Sequence, residues 1–268
     1  MARGLLKLRV RVGASEGVAM RAVAMRAGRV LVAMWIGGLL LAAAGPARAL
    51  GIAGYTLSLS SGSESFQLGD LPVSWTSATN GGTYQLTHSV TDPLNNFTVN
   101  SWSSGVDVDP FVTNNINVTN ISALPQTFDI TVSLPILPQT PATEMQGSVG
   151  LTLTNTTGTA DVTDAGTAVY TALIDGSPVE PLLNPSYDLH VVNPFDTNTA
   201  SANFGIPTPV AGPAALSTIA IRLHFTLSPG DSAGFTSSFN ITEVPEPMTV
   251  LMMGLGLVGL AVAGRSRT

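Results

Sequence analysis

The sequence predicts an all-β protein: a two-sheet antiparallel β-sandwich of roughly eleven strands, flanked by an N-terminal signal helix and a C-terminal transmembrane helix. Three observations predict it. Apolar and polar residues alternate strictly over several stretches of the body, as in Phe128-Asp129-Ile130-Thr131-Val132-Ser133-Leu134, which puts one face of each strand in a core. Turn signals separate the stretches: Asn80-Gly81-Gly82, Asp92-Pro93, Asp109-Pro110, Asp175-Gly176 and Ser228-Pro229-Gly230. No segment between Leu50 and Glu243 sustains an apolar stripe at helical spacing, and Ser, Thr, Asn and Val dominate where helix formers are scarce.

From the N-terminus, residues 1–49 read as a signal peptide with an extended basic leader (Arg3, Lys7, Arg9, Arg11, Arg21). Met25-Arg26-Ala27-Gly28-Arg29 is the compact basic region, Val30 to Ala44 an uncharged apolar run, and Gly45-Pro46 its break. Ala47-Arg48-Ala49 then supplies the small-x-small pattern at Ala47 and Ala49 that a signal peptidase reads, with cleavage expected after Ala49.

Residues 50–243 form the expected secreted sandwich. The clearest strands are Phe128–Leu134 and Ile219–Leu227, followed by those carrying Val149-Leu151-Leu153, Tyr187-Leu189-Val191 and Phe235-Phe239-Ile241. Weaker patterns cover Tyr55–Ser60, Leu71–Thr76, Thr83–Val90, Phe97–Trp102, Ile116–Thr119 and Thr167–Asp175. One sandwich is expected; the proline-rich Leu134–Pro141 is the place to cut if there are two modules.

Charge narrows the partners. Between Leu50 and Glu243 the only basic residue is Arg222, against fifteen acids, so the body carries a formal charge of −14 where the whole chain carries −6. Such a body repels nucleic acid and anionic headgroups, and is compatible with cations, neutral glycans or other protein surfaces. There is no cysteine, so disulfides, thiolate metal sites and thiol nucleophiles are all excluded.

The last segment, 244–268, has its own grammar. Val244-Pro245-Glu246-Pro247 precedes a charge-free run from Met248 to Ala263, and Gly264-Arg265-Ser266-Arg267-Thr268 closes it. Sixteen helical residues at about 1.5 Å each span roughly 24 Å, short of a ~30 Å hydrocarbon core, and Arg265 can snorkel to make up part of the difference. Pro245 and Pro247 stop the helix from extending backwards and leave an extended segment at the membrane surface. These residues resemble the PEP-CTERM sorting domain of Gram-negative bacteria, over the C-terminal ~25 residues only. The resemblance implies recognition by an exosortase, an integral membrane cysteine transpeptidase, and removal of the tail. Val244, Pro245, Glu246 and Pro247 would then be the processing motif, and Arg265 and Arg267 the retention charges. It further implies an exported protein, anchored in the inner membrane through the C-terminal helix and later found at the cell surface or in extracellular matrix, in the company of exopolysaccharide and biofilm. The two arginines split by Ser266 are sparser than the basic cluster common in that family.

No catalytic or cofactor-binding residue stands out in the body. His190 and His224 alternate away from core positions, as does Arg222, while His88 shares parity with Tyr84, Leu86 and Val90 and is expected on an apolar face. No histidine pair has metal-ligand spacing. Asp107 and Asp109 with Asn114, Asn115 and Asn117, and Asp161 with Asp164, are the clusters that could hold calcium, although the Asp-x-Asn-x-Asp-Gly loop is missing and such residues ordinarily make turns. Gly-x-Ser-x-Gly, a Gly-rich phosphate loop and His-Glu-x-x-His are all missing. Trp75, Trp102 and Tyr84 suggest either core anchors or a sugar-stacking platform, with core packing the expectation. The expected function is therefore non-enzymatic: a structural or adhesive protein of the cell envelope or matrix. A specific carbohydrate-binding module and a carbohydrate-active enzyme are the alternatives.

Overall fold

The computed structural model describes residues 51–156, 158–244 and 252–258. The expected signal peptide with Ala47 and Ala49, the motif residues Pro245, Glu246 and Pro247, and Arg265 and Arg267 lie outside the described residues.

Seventeen strands follow in chain order: β1 (Thr56–Ser61), β2 (Glu64–Gln67), β3 (Val73–Ala78), β4 (Gly81–Leu86), β5 (Val90–Thr91), β6 (Phe97–Asp107), β7 (Phe111–Asn120), β8 (Gln126–Pro135), β9 (Thr143–Thr154), β10 (Ala160–Asp164), β11 (Tyr170–Ile174), β12 (Ser177–Leu182), β13 (Asp188–Val191), β14 (Thr197–Phe204), β15 (Val210–Gly212), β16 (Thr218–Leu227) and β17 (Ser232–Glu243). They make an antiparallel eight-stranded sheet, β12-β11-β16-β8-β1-β2 with β10 paired to β16 and β13 to β10, and an antiparallel nine-stranded sheet, β14-β9-β17-β7-β6-β4-β3 with β15 and β5 attached. The sandwich is the predicted class.

The core lies between the sheets, and the alternation that predicted it holds along each long strand. Phe128, Ile130, Val132 and Leu134 of β8 are all buried, as are Ile219, Ile221, Leu223, Phe225 and Leu227 of β16. A column of rings crosses from one sheet to the other. Phe128 stacks on Phe225 with centroids 5.2 Å apart, Phe225 meets Phe235 of β17 at 4.6 Å, and Phe97 of β6 sets its edge against Phe128 at 5.4 Å. Each such ring contributes about 1.5–3 kcal/mol by burial, so this column is a principal clamp between the sheets.

The strand count exceeds the eleven expected for definite reasons. The predicted Thr83–Val90 is two strands, because the Thr87 N–H and Oγ1 both donate to the Pro72 carbonyl at 2.8 Å and end β4 at Leu86. His88 therefore leaves the strand and is exposed, with only Thr87 Oγ1 at 3.2 Å from its Nδ1, which corrects the expectation of an apolar face. The strands β2, β10, β12, β14 and β15 carry weaker alternation. Thr197–Phe204, for instance, is almost wholly Thr, Asn, Ser and Ala. Leu134–Pro141 is the crossover from β8 in one sheet to β9 in the other, and the pairings on either side interleave, with β8 bonded to β1 and β16 and β17 bonded to β7 and β9.

At the C-terminus, β17 runs as an inner strand to Glu243, and the Val244 N–H still donates to the Ala142 carbonyl at 3.2 Å. Residues 252–258 are helical. No helix among the described residues is long and apolar enough to cross a membrane, and most of the predicted span from Met248 to Ala263 lies outside them.

Candidate functional site

The sequence-predicted clusters do not assemble into a site. Asp107 and Asp109 sit at the β6–β7 turn, where Asp107 Oδ1 accepts from the Asp109 N–H at 3.0 Å. Asn114 points into the core, where its Oδ1 accepts from Trp102 Nε1 at 2.8 Å, while Asn117 lies on the opposite face of the same strand and accepts from Asn100 Nδ2 at 2.6 Å. Alternation along β7 thus separates these ligands, because the segment is a strand rather than the loop the calcium reading requires. Asp161 pairs with His190, and Asp164 is spent on the N–H groups of Gly166 and Tyr187, at 3.0 and 2.8 Å. Among the described residues no group of three His, Cys, Asp or Glu could hold a metal ion.

The aromatic residues go inward. Tyr84 and Trp102 are buried and Trp75 is half-buried against Tyr84, with centroids 4.4 Å apart; Tyr55 also stacks on Tyr84 at 4.5 Å. These rings pack one end of the sandwich rather than offering a sugar platform.

Charged side chains gather on the outer face of the eight-stranded sheet. Arg222 Nε donates to Asp129 Oδ1 and Oδ2 at 2.9 and 3.1 Å, and its second nitrogen closes a bidentate pair that raises the Arg222 pKa further. Next to it, burial and then the Arg222 charge lower the pKa of His224, whose Nδ1 is 2.9 Å from Thr167 Oγ1. His190 goes the other way, raised by its hydrogen bond to Asp161. The lone body arginine is thereby committed to a carboxylate.

The opposite face of the molecule is different in kind. On the outer side of the nine-stranded sheet, register places Ser103, Asn115, Thr236, Gly150 and Ser201 in one row across β6, β7, β17, β9 and β14. The next row is Ser101, Asn117, Gly234, Thr152 and Thr199, and the next Thr98, Thr119, Ser232, Thr154 and Thr197. On the other flank lie Thr113, Ser238, Ser148 and Asn203. Every member is Ser, Thr, Asn or Gly. Hydroxyls bridge neighbouring strands, Thr119 Oγ1 to Ser232 Oγ at 2.6 Å and Ser148 Oγ to Ser238 Oγ at 2.9 Å, and Asn100 Nδ2 also donates to Thr119 Oγ1 at 2.6 Å.

Two glycines shape this face. Gly150 and Gly234 stand in adjacent rows on β9 and β17 and leave a trough of about 480 Å³ flanked by Asn115, Asn117, Thr152, Thr199, Ser201 and Thr236. An added Cβ at Gly150 would find its nearest neighbour, the Thr236 carbonyl oxygen, at 3.8 Å, so the absent side chain matters for the hollow rather than for the backbone. No ionisable side chain lines the trough. Its chemistry is that of neutral donors and acceptors at strand spacing, about 4.8 Å between strands and roughly 7 Å along them. Sequence reasoning missed this face because it attended to the inward half of each alternation. The signal was present in the outward half: Thr-x-Asn-x-Asn-x-Thr from Thr113 to Thr119, and Ser-x-Gly-x-Thr-x-Thr from Ser148 to Thr154.

Comparison with known proteins adds the following. Residues 243–267 match the PEP-CTERM protein-sorting motif. The chain thus carries at its C-terminus the signal of an exported protein sorted by an exosortase, and the match covers the tail and not the sandwich. No curated protein matches the sequence. Solved structures similar to it include TmCBM61 in complex with β-1,4-galactotriose, at 12% identity and a TM-score of 0.23, covering 50% of this chain and 71% of that one. Another is from the Gx strain of infectious bursal disease virus, at 12% identity and a TM-score of 0.25, covering 74% of this chain and 52% of that one.

Proposed function

We propose that the protein is a non-enzymatic matrix or envelope component that adheres to exopolysaccharide through the outer face of its nine-stranded sheet. One observation carries the reading: four adjacent rows of Ser, Thr, Asn and Gly, up to five strands wide, on the outer side of that sheet, hollowed at Gly150 and Gly234, on a body that is otherwise strongly acidic. Neutral hydroxyl and amide groups exchange hydrogen bonds with water and with sugar hydroxyls at similar strength, so each contact is worth little. Many of them in register give an extended, multivalent grip without a deep pocket. The net charge selects further, since an acidic polymer would be repelled by a body with a formal charge of −14. A neutral polysaccharide is the ligand class the face suits.

The sorting tail supports the same reading from the other side. It delivers the sandwich to the compartment where such polymers are assembled, first held in the inner membrane by the C-terminal segment and then released to the surface or matrix after processing. With no ionisable group in the trough there is no candidate general acid or base there, in keeping with adhesion rather than turnover.

The test is co-sedimentation of the full-length protein, in detergent, with an insoluble neutral polysaccharide and with an acidic one. Gly150→Glu fills the trough and adds charge where the backbone has room. Binding to the neutral polymer is expected for the native protein and should fall at least about tenfold in the variant, the equivalent of about 1.4 kcal/mol. Equal binding by both proteins would reject this face as the contact.

A further inference from the structure

On the reading that the neutral face holds a polysaccharide, we infer that Phe195 is a further binding residue at the margin of that face, where its ring stacks on the C–H face of a hexopyranose unit of the polymer.

Phe195 lies between β13 and β14 and is 84% exposed, more than any other large apolar side chain among the described residues. Its backbone is left-handed, at φ 64°. Three other described residues besides glycine share that region. Asn95 and Asp175 are of types that adopt it readily, and Leu183 has its side chain packed against the core. Phe195 has neither advantage. A bulky residue in this region costs free energy, and an exposed ring recovers little of it by burial.

A bulge holds the strained residue in place. The ladder between β9 and β14 reaches Thr154 opposite Thr197. Beyond it Asn155 faces two residues at once: its N–H donates to the Asp196 carbonyl at 3.0 Å, and its carbonyl accepts from the Phe195 N–H at 2.9 Å. Two residues against one, the first of them left-handed, is the arrangement in which glycine ordinarily stands first. The wholly buried side chain of Asn155 fixes the loop, its Nδ2 donating to the carbonyls of Gly158 and Asn193 at 2.6 and 2.9 Å. The backbone thus keeps a large ring in water at one defined place, at a cost that glycine would not incur.

That place adjoins the neutral face. Thr154 and Thr197 are the β9 and β14 members of its outermost row, and Phe195 follows directly beyond them. A hexopyranose has hydroxyls around its rim and C–H groups on its ring face. Ser, Thr and Asn exchange hydrogen bonds with the rim at little net gain over water. A phenyl ring against the C–H groups adds burial of apolar surface, for which water does not compete. One ring matches one sugar in size, and falls far short of the roughly 800 Å² that each partner buries in a standard protein interface. Asp196, exposed beside it, repels an acidic sugar. The ligand class narrows to a neutral polymer of hexopyranoses whose equatorial substituents leave the C–H face clear, as in a β-glucan.

The test is co-sedimentation of the full-length protein, in detergent, with an insoluble β-1,4-glucan. Phe195→Ala should bind at least about tenfold more weakly, Phe195→Leu should resemble it, and Phe195→Trp should stay within about threefold of the native protein. Phe195→Gly should lose binding as alanine does, yet unfold at the same or a higher urea concentration, because glycine suits the left-handed backbone. A ring that served only the fold would give the reverse, so a lowered urea midpoint with undiminished binding would overturn the inference. Gly150→Glu, run alongside, separates the ring from the trough. Loss of binding in Gly150→Glu with native binding by Phe195→Ala or Phe195→Leu overturns the ring and leaves the face standing. Loss in Phe195→Ala with native binding by Gly150→Glu supports the ring and rejects the trough. Native protein that stays in the supernatant with the β-glucan overturns the inference, and its behaviour with other neutral polysaccharides then decides the face.

Discussion

Asp175 shows how much one side chain organises. It takes a left-handed conformation, φ 49°, next to Gly176 at φ 77°, which is the positive-φ pair a two-residue hairpin between β11 and β12 needs. Its carboxylate then accepts from the N–H groups of Leu216, Ser217 and Thr218 at 2.8, 2.7 and 3.0 Å and from Ser217 Oγ at 2.7 Å. Desolvation pushes its pKa up, but these bonds outweigh it and hold the group at about 2. The sign follows directly: the contribution is complete above the unfolded value near 4 and is lost as pH falls through about 2. Asp175→Ala should cost about 1 kcal/mol near neutral pH, discounted for exposure, and flatten the acid limb of a stability–pH curve measured by urea unfolding. The histidines give a second check at this scale. His190 should titrate above 6.5 and His224 below it in proton NMR. By linkage His190 adds stability below its unfolded pKa that is lost as pH rises through the folded one, and protonating His224 subtracts stability as pH falls. Asp161→Asn should bring the His190 pKa down while leaving that of His224 in place.

At the scale of elements, the sandwich was legible in the sequence wherever a strand buries one side and wets the other. β8 and β16 could be written down residue by residue, because water enforces the alternation on one face and the core on the other. β14 could not: before the buried Phe204 its inward positions are Asn198, Ala200 and Ala202, too polar and too small to leave an apolar alternation, and its place is fixed by hydrogen bonding to β9. His88 was misplaced for a related reason, since parity says which side a residue faces only while the strand continues. Among candidate sites, turn-forming Asp and Asn were visible but their separation by strand alternation was not. The ring column also yields a prediction. Phe225 is fully buried between Phe128 and Phe235, and Phe225→Ala should destabilise the fold by about 3–5 kcal/mol in urea unfolding, through lost burial and the cavity left behind.

For the molecule as a whole, the two ends of the functional account are joined by β17. The strand that contributes Gly234 and Thr236 to the neutral face ends at Glu243, the residue at which the match to the sorting motif begins. The proposed binding face and the address thus share one polypeptide segment with no linker between fold and signal. Glu246→Gln should leave the protein full-length in the membrane fraction if the motif is read as proposed, and normal release of that variant would reject it. The face and the address can then be tested together in the producing cell, by washing the cells and measuring the fraction of protein that stays with the exopolysaccharide. The native protein should remain in the matrix, whereas Gly150→Glu should be exported and processed to the same extent yet wash out. Retention of Gly150→Glu equal to that of the native protein would contradict the claim that the neutral face of the nine-stranded sheet holds this protein to its polymer.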